Sequence, residues 1–426
     1  MAGMIFLFIY IIIQTLISFI TEFAVKNHKA FNKLGEKSRA IRIIVYGLLA
    51  IIPVFGTYLP KCKFKYFCMQ FGNIWLGFFM FYATFVLLLV IILLCASKLR
   101  NKLKAKLEAE DDNTLVGHAL HFAFILGLIF TIYGMVHSQN PRLVTYDIKL
   151  EQEAEQKAEK ETEQKTEDKA TIETTDLAAN EASKKQMKVV LLADLHLSIN
   201  SDIHATEKMV DIVNECDPDL IVVAGDIFTS NYEGLKNPEK YSAALSKMHA
   251  KYGVYAVCGN HDVEENLFSG FSVSPISEAF RTSDMDKFFQ DAGFKVLYDE
   301  EVDIAGMFTL VGRVDGEKAG DGTNHRLSAE ELLKNTDRSK PIVVMEHEPI
   351  EFKDLADNGA DLVLCGHTHN GQIFPGNLIV PLFNENGYGV KEIHGTTTVV
   401  TAGVGYYGPP VRVGTNSEVT LLNIEF

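Results

Sequence analysis

Apolar residues along this chain fall into two regimes. Up to about Val136 they come in long, nearly unbroken runs, and after Met187 they come in short runs separated by polar clusters. Four long runs, Met4 to Ile20, Ile41 to Leu59, Phe71 to Ala96 and Leu115 to Val136, approach the roughly 20 residues that a helix needs to cross a bilayer. The first has no cationic stretch before it, so it reads as a membrane helix rather than a cleaved signal peptide. Pro53 and Gly56 are expected to kink the second. No acidic or basic residue lies near a span centre, where one would mark an ion or substrate path, so the region reads as an anchor. His118 and His121 share a helix face near the expected interface and read as interfacial polar residues rather than metal or haem ligands.

Beyond the spans, Leu143 to Leu150 alternates as a strand does. Glu151 to Ala182 is rich in Glu, Gln, Lys and Thr and has almost nothing to bury, so it reads as a solvated linker or insertion without chemistry. From Met187 the pattern is strand, loop, helix, repeated. Met209, Ile212, Val213 and Cys216 recur at helical spacing, as do Tyr241, Ala244, Leu245 and Met248. Ser328 and Glu331 have the spacing of a capping box. Leu378 to Phe383, Thr397 to Thr401 and Glu418 to Phe426 read as strands. The expected class is α/β: two sheets packed between helices behind a membrane anchor of four helices. The expected organisation is 1–138 anchor, 139–150 edge strand of the following domain, 151–186 charged linker or insertion, and 187–426 the soluble domain.

Charge changes this picture in two ways. A net charge of −15 and a pI near 5.4 argue against a nucleic-acid partner, which calls for a basic patch. Lys26, Lys29, Lys33, Lys37 and Arg39 follow the first run, and Lys98, Arg100, Lys102, Lys104 and Lys106 follow the third. The loop between runs two and three holds only Lys61, Lys63 and Lys65. The positive-inside bias therefore predicts a multi-pass plasma-membrane protein with everything after Val136 on the extracytoplasmic face. The six cysteines form no CxxC pair, and Cys258 and Cys365 read as small buried hydrophobes.

The candidate chemistry lies where five short apolar runs end. These are Lys188 to His196, closing in Asp194-Leu-His196; Leu220 to Asp226; Val254 to Asp262, closing in Gly-Asn260-His261-Asp262; Ile342 to His347; and Leu362 to His369, closing in Gly-His367-Thr-His369. Residues two apart on a strand point the same way, so Asp194 and His196 can converge on one ion. Glycine precedes the polar residue in three runs, which lets backbone and ligand approach closely. All five are expected at the same edge of a sheet. Mixed carboxylate, amide and imidazole donors suit divalent manganese, iron or zinc. Seven candidates are too many for one ion and suit two about 3.5–4 Å apart, with Asp226 the best bridge.

The ordered set Asp-x-His, Gly-Asp, Gly-Asn-His-Asp, His and Gly-His-Thr-His resembles the calcineurin-like metallophosphoesterase family over Lys188 to Phe426. The resemblance implies a four-layer α/β/β/α domain with Asp194, His196, Asp226 and His369 on one metal. It places Asp226, Asn260, His347 and His367 on the other. It further implies attack on phosphorus by a hydroxide held between the ions, with His261 protonating the leaving oxygen and Asp262 orienting His261. Gly366 to Pro375, Gly312-Arg-Val-Asp315 and Gly403 to Arg412 resemble the bacterial, membrane-associated branch, whose members include phosphodiesterases and hydrolases of lipid-linked substrates. Glu346 and Glu348 around His347 depart from that branch, as does the acidic insertion after Leu150. Arg313, Arg412 and Asn370 are candidates for substrate phosphate, and the two arginines equally for structural ion pairs. The expected activity is hydrolysis of a phosphate ester, with a membrane tether favouring a lipid-linked substrate. The alternatives are a phosphatase of soluble nucleotides or sugar phosphates, and a membrane sensor using the domain as a regulatory module.

Overall fold

A computed structural model describes residues 2–27, 35–95, 97–107, 112–150, 185–268 and 270–426. The N-terminal part is helical: α1 (Ala2–Asn27), α2 (Gly35–Tyr58), α3 (Lys63–Cys95), α4 (Ser97–Lys106) and α5 (Asp112–Ser138). Among the described residues three stretches are long and apolar enough to cross a membrane: Arg39–Tyr58, Lys63–Leu93 and Thr114–Ser138. Four were expected; the described apolar stretch of α1 is the shorter Phe8–Phe23. Ile43, Ile44 and Leu48 on α2 and Ile125, Ile129 and Ile132 on α5 are exposed, as side chains facing hydrocarbon would be. Helix α2 runs through Pro53 without ending. The end of α1 is tied to α2 by Arg42, whose Nε and Nη2 donate to Glu22 at 2.9 and 2.8 Å. Lys29 and Lys33 of the first basic loop lie outside the described residues.

Among the described residues the rest of the chain contributes fourteen strands: β1 (Arg142–Lys149), β2 (Gln186–Leu192), β3 (Leu220–Ala224), β4 (Val254–Val257), β5 (Leu267–Phe268), β6 (Phe271–Ser272), β7 (Phe294–Val296), β8 (Glu300–Ile304), β9 (Phe308–Gly312), β10 (Ile342–Met345), β11 (Leu362–Cys365), β12 (Gly389–Ile393), β13 (Thr396–Val400) and β14 (Glu418–Glu425). One sheet has the order β1-β14-β2-β3-β4-β7 and the other β12-β13-β11-β10-β9-β8; β5 and β6 form a separate hairpin. Both six-stranded sheets are mixed, with parallel centres.

Burial on both faces explains why the central strands read as continuous apolar runs. On β2, Val189 and Leu191 pack inward against Val343, Met345 and Leu364 of the second sheet, while Val190 and Leu192 pack outward. The outward layer includes α6 (Ile203–Glu215), α7 (Pro238–Leu245) and α8 (Ser283–Asp291) through Met209, Val213, Tyr241, Leu245, Phe288 and Phe289. On the far side of the second sheet, α9 (Ala329–Leu333) and α10 (Phe352–Asp357) pack Leu332, Leu333, Phe352 and Leu355. The capping box at Ser328 and Glu331 forms as the spacing predicts. One expectation fails: Leu378 to Phe383 is not a strand but α11 (Gly376–Ile379) followed by a 3-10 turn over Val380–Leu382. Its apolar residues point outward with no neighbouring strand, so their run signals exposure rather than a sheet position.

Helix α5 leads almost directly into the edge strand β1. Arg142 N donates to Ser417 O at 2.9 Å and Ser417 Oγ to Ser138 O at 2.8 Å. Strand β2 lies antiparallel to β14, so its carboxyl end sits at this same, helix-facing end of the sheet. The stretch Glu151 to Ala182 lies outside the described residues, but both its flanks are placed. Leu150 N donates to Glu425 O at 2.9 Å, and Phe426 N to Lys185 O at 2.9 Å. The charged stretch thus leaves and rejoins the domain at the end of the sheet away from the helices.

Candidate metal centre

The five polar clusters meet, although not on one sheet. Asp194 and His196 follow β2, Asp226 follows β3, and Asn260 to Asp262 follow β4; His347 and His367 to His369 follow β10 and β11 of the other sheet. The expectation of a single sheet edge is therefore corrected. Within each sheet these strands run parallel to one another, β2 with β3, β3 with β4 and β10 with β11, and the sheets stack face to face, so two sets of carboxyl ends open into one crevice.

Glycine permits the meeting. A Cβ on Gly225, where φ is +81°, would stand 2.8 Å from His347 Cβ, and one on Gly366 would stand 2.5 Å from Asp194 Oδ2. The backbone of the candidate ligands is itself unusual. Asp194, His196, Asp226, His367 and His369 have φ of 53°, 47°, 54°, 73° and 52°. A left-handed conformation costs a non-glycine residue about 1–3 kcal/mol and persists only where surrounding bonds hold it. Here they do: Asp194 N donates to Gly225 O, His196 N to Asp226 O, both at 3.0 Å, and His367 N to Asp194 Oδ2 at 3.0 Å.

Ring nitrogens and carboxylate oxygens converge at two points. Asp194, His196 and His369 form one group, and Asp194, Asp226 and His347 the other, with ligand atoms in each all within 4.8 Å of one another. His196 Nε2 lies 3.0 Å from His369 Nε2 and 3.5 Å from Asp226 Oδ2. His347 Nε2 lies 3.0 Å from Asp226 Oδ2 and 3.2 Å from His367 Nδ1. The opposite nitrogens of two rings are held by protein: His196 Nδ1 meets Thr229 Oγ1 at 3.1 Å, and His347 Nδ1 meets Ala224 O at 2.8 Å. Asn260 donates its Nδ2 to Glu317, while its Oδ1 is buried without a hydrogen-bond partner. A buried carbonyl oxygen left open beside imidazoles and carboxylates is what a cation would satisfy, and the donor set fits divalent ions.

Burial governs the titration of these groups. It holds His196 and His367 down at about 4 and keeps His369 well below the usual imidazole range, so the three rings are neutral and offer lone pairs near pH 7. Burial pushes Asp194 up to about 7, and the neighbouring Asp226 carboxylate adds to the rise. Burial would also raise Asp226, but His347 and His261 outweigh it and hold that carboxyl well below its usual range. The reciprocal holds at His347: burial lowers it, yet Asp226 carries it well above the ordinary value.

His261 and Asp262 are placed differently from expectation. His261 Nδ1 meets Ser230 Oγ at 2.8 Å, its backbone N donates to Asp226 Oδ1 at 2.8 Å, and its ring stacks on Tyr407 with centroids 4.3 Å apart. Asp262 does not orient the ring: its carboxylate accepts from Phe228 N at 2.8 Å and Gly259 N at 2.9 Å. It pins the β3 and β4 loops together, and Ser230 is the ring's partner. Burial keeps His261 well below the usual imidazole range.

Both arginines are structural. Arg313 is buried against Glu346 at 3.1 Å and Glu351 at 2.8 Å, which gives the acid before His347 its role. Arg412 is fully buried among carbonyls: Nε donates to Gly405 O at 2.8 Å, Nη1 to His369 O and Asn416 O at 3.2 and 2.9 Å, and Nη2 to Ala402 O and Gly403 O at 2.7 and 3.2 Å. Its Nη2 also lies 3.0 Å from His369 Nδ1. Sequence reasoning missed Ser230, Glu317 and the stacking role of Tyr407; none lies in a ligand motif, and only tertiary packing brings them in. It also gave no role to Asp315, whose Oδ2 is buried without a partner and whose carboxyl burial lifts to about 7.

The crevice faces the helices. Arg412 N donates to Gly134 O of α5 at 3.1 Å, and Asn73 Nδ2 of α3 to Asn200 Oδ1 at 2.8 Å. Val411 and Val413 pack with Phe81, Phe85, Phe130 and Met135 of the bundle. Phe268 of the β5–β6 hairpin meets Tyr10 edge-on at 5.3 Å. Phe271, across the hairpin, meets Tyr407 at 5.1 Å.

Residues 187–371 match the family described as calcineurin-like phosphoesterase. The chain is 30% identical over 259 residues to an uncharacterized metallophosphoesterase of Aquifex aeolicus, covering 60% of this chain and 90% of that protein. It is 32% identical over 250 residues to an uncharacterized metallophosphoesterase of Campylobacter jejuni, covering 57% of this chain and 60% of that one. A third relative, a transmembrane protein with metallophosphoesterase domain from Danio rerio, is 27% identical over 402 residues, 90% of this chain and 80% of the relative. The match spans 60% of the length of the Helicobacter pylori and Campylobacter jejuni relatives.

Proposed function

The chain belongs to the calcineurin-like phosphoesterase family, and from that premise we propose that it is a membrane-anchored, metal-dependent hydrolase of phosphate esters. The observation that carries the reading is the convergence of two donor groups through Asp194 and Asp226, beside the open Asn260 oxygen. In this reading Asp194, His196, Asp226 and His369 hold one ion, and Asp226, Asn260, His347 and His367 the other. Two divalent ions, when bound, supply a nucleophile at neutral pH and neutralise charge on the phosphoryl oxygens.

The protein's own part is to hold the donors still and to manage one proton. Ser230 at Nδ1 leaves Nε2 of His261 for the substrate, and stacking on Tyr407 fixes the ring plane. In this reading His261, whose ring is kept neutral by burial, gains its proton when an anionic phosphate lies beside it and hands that proton to the leaving oxygen. The seating of the crevice on the bundle favours a substrate carried by the membrane over a soluble one. The fuller topology, with α1 as a fourth span and the catalytic domain outside the plasma membrane, rests on the lysine and arginine asymmetry of the loops.

The test uses the full chain in detergent, stripped of metal and resupplied with manganese, against bis-p-nitrophenyl phosphate and p-nitrophenyl phosphate. Manganese-dependent release that Asp226→Asn lacks is expected. Release that is indifferent to metal or to Asp226 would end the two-metal reading.

A further inference from the structure

Ten residues after the last candidate ligand contain no charge: Phe374 to Phe383, Phe-Pro-Gly-Asn-Leu-Ile-Val-Pro-Leu-Phe. They form a short helix and a 3-10 turn on the outside of the catalytic domain. Phe374 is 58% exposed, Leu378 60%, Leu382 76% and Phe383 81%. Elsewhere in the catalytic domain exposed large hydrophobes occur singly, as at Ile276, Tyr298 and Ile350. Here they form a cluster, which in water would be a liability and in a lipid interface an anchor.

The position of the cluster says what covers it. The segment starts beside the bundle: Phe374 N donates to Val413 O at 2.7 Å, and Ile373 packs against the cluster in which Val411 and Val413 meet Phe81 of α3. Val413 in turn approaches Gly134 of α5, four residues before that helix ends. Exposed Ile132, Tyr133 and Val136 occupy the same stretch of α5. The segment thus begins beside the last turns of α5, where that span carries exposed apolar side chains. The segment follows His367, His369 and Asn370 directly in the chain, so whatever holds it also sets the height of the crevice.

We propose that Phe374 to Phe383 is an interfacial anchor whose apolar side chains enter the acyl region of the bilayer beside α5, holding the mouth of the candidate site at the level of phospholipid headgroups. The proposal rests on the reading of α3 and α5 as membrane spans and adds a contact to it. A phosphoester headgroup then reaches the crevice without its lipid leaving the membrane.

The sequence has a single tryptophan, Trp75, which makes a direct test possible. In a Trp75→Phe background, one tryptophan is placed by Phe383→Trp, Leu382→Trp, Ile132→Trp on the span, or Lys149→Trp at the far end of β1. Each full chain is reconstituted in phosphatidylethanolamine and phosphatidylglycerol vesicles with acyl chains brominated near the headgroup. Manganese-dependent diester release checks that each variant is folded. Tryptophan at 383 and 382 is expected to be quenched by bromolipid nearly as strongly as at 132 and several-fold more than at 149, and to resist aqueous iodide. Quenching at 132 but not at 382 or 383, with iodide access, would overturn the anchor and leave the segment in water. Protection from both quenchers would assign it to a second copy of the chain, which also overturns it. Absence of quenching at 132 would overturn the membrane reading itself.

Discussion

The two ends of the first sheet differ in kind. At the end facing the helices, β2 and β3 run into Asp194, His196 and Asp226, all buried and all in left-handed backbone. At the other end lies a surface hollow of about 660 Å³, lined by Asp147, Lys149, Lys188, Asp217 and Asp219, where charged side chains reach water. That hollow is the chemically quieter end. Charged groups there are solvated and carry no organised task, whereas the buried end holds neutral imidazoles, an ionised carboxylate and an open amide oxygen at real cost. Left-handed backbone and an unsatisfied amide oxygen single out the end facing the bundle.

Substitutions at the two ends should separate them sharply. The largest effect is expected for Asp226→Asn, which removes the carboxylate common to both donor sets. Turnover of bis-p-nitrophenyl phosphate should fall by on the order of 10²-fold or more, since even outer partners of metal ligands are worth roughly 10–100-fold. His261→Ala should retain bound metal while lowering turnover on poor leaving groups by about 10²–10⁴-fold, with far less loss on p-nitrophenyl esters. Equal loss on both would remove His261 from the proton transfer.

Arg412→Met should act through structure. It strips donors from buried carbonyls of the 402–416 segment and from His369, and a loss of about 3–5 kcal/mol is expected from unfolding of the detergent-solubilised chain. Arg412→Lys should rescue little, because an ammonium cannot span acceptors that a planar fork reaches on both sides. The smallest effect belongs to the far end. Asp147→Ala removes one exposed hydrogen bond from Asn423, and stability should change by less than about 1 kcal/mol with turnover unaltered. A large loss of activity there would blur the contrast between the two ends.

Much of this was legible in the chain because short-range rules apply to it. Central parallel strands, buried on both faces, read as apolar runs, and each ends in a polar cluster; hence β2, β3, β4, β10 and β11 could be named in advance, with Asp194, His196, Asp226, His347 and His369, which meet as two donor groups. The capping box at Ser328 is equally local. What could not be read depends on packing between distant segments. The division of the ligands over two sheets is invisible in strands that look alike. Asp262 sits next to His261 in sequence, yet its carboxylate faces two backbone amides and the ring faces Ser230, 31 residues away. Leu378 to Phe383 has the composition of a strand, and only its lack of a neighbouring strand reveals an outward-facing helix. The docking of 409–413 on α5 could not be read from the Gly403 to Arg412 stretch either, because it is made by valines, prolines and a glycine that could pack anywhere.

Two ions sharing Asp226 at the bundle-facing end of the sheets would show in the metal content of the protein. The most direct measurement is metal content of the purified full chain by mass spectrometry, taken beside diester turnover as manganese is titrated into stripped protein. Two equivalents per folded chain are expected, with turnover that rises with occupancy, and fewer than two equivalents for Asp226→Asn. A folded wild-type chain that hydrolyses the diester fully with one equivalent or none, or an Asp226→Asn chain that still binds two, would contradict the shared Asp226 bridge.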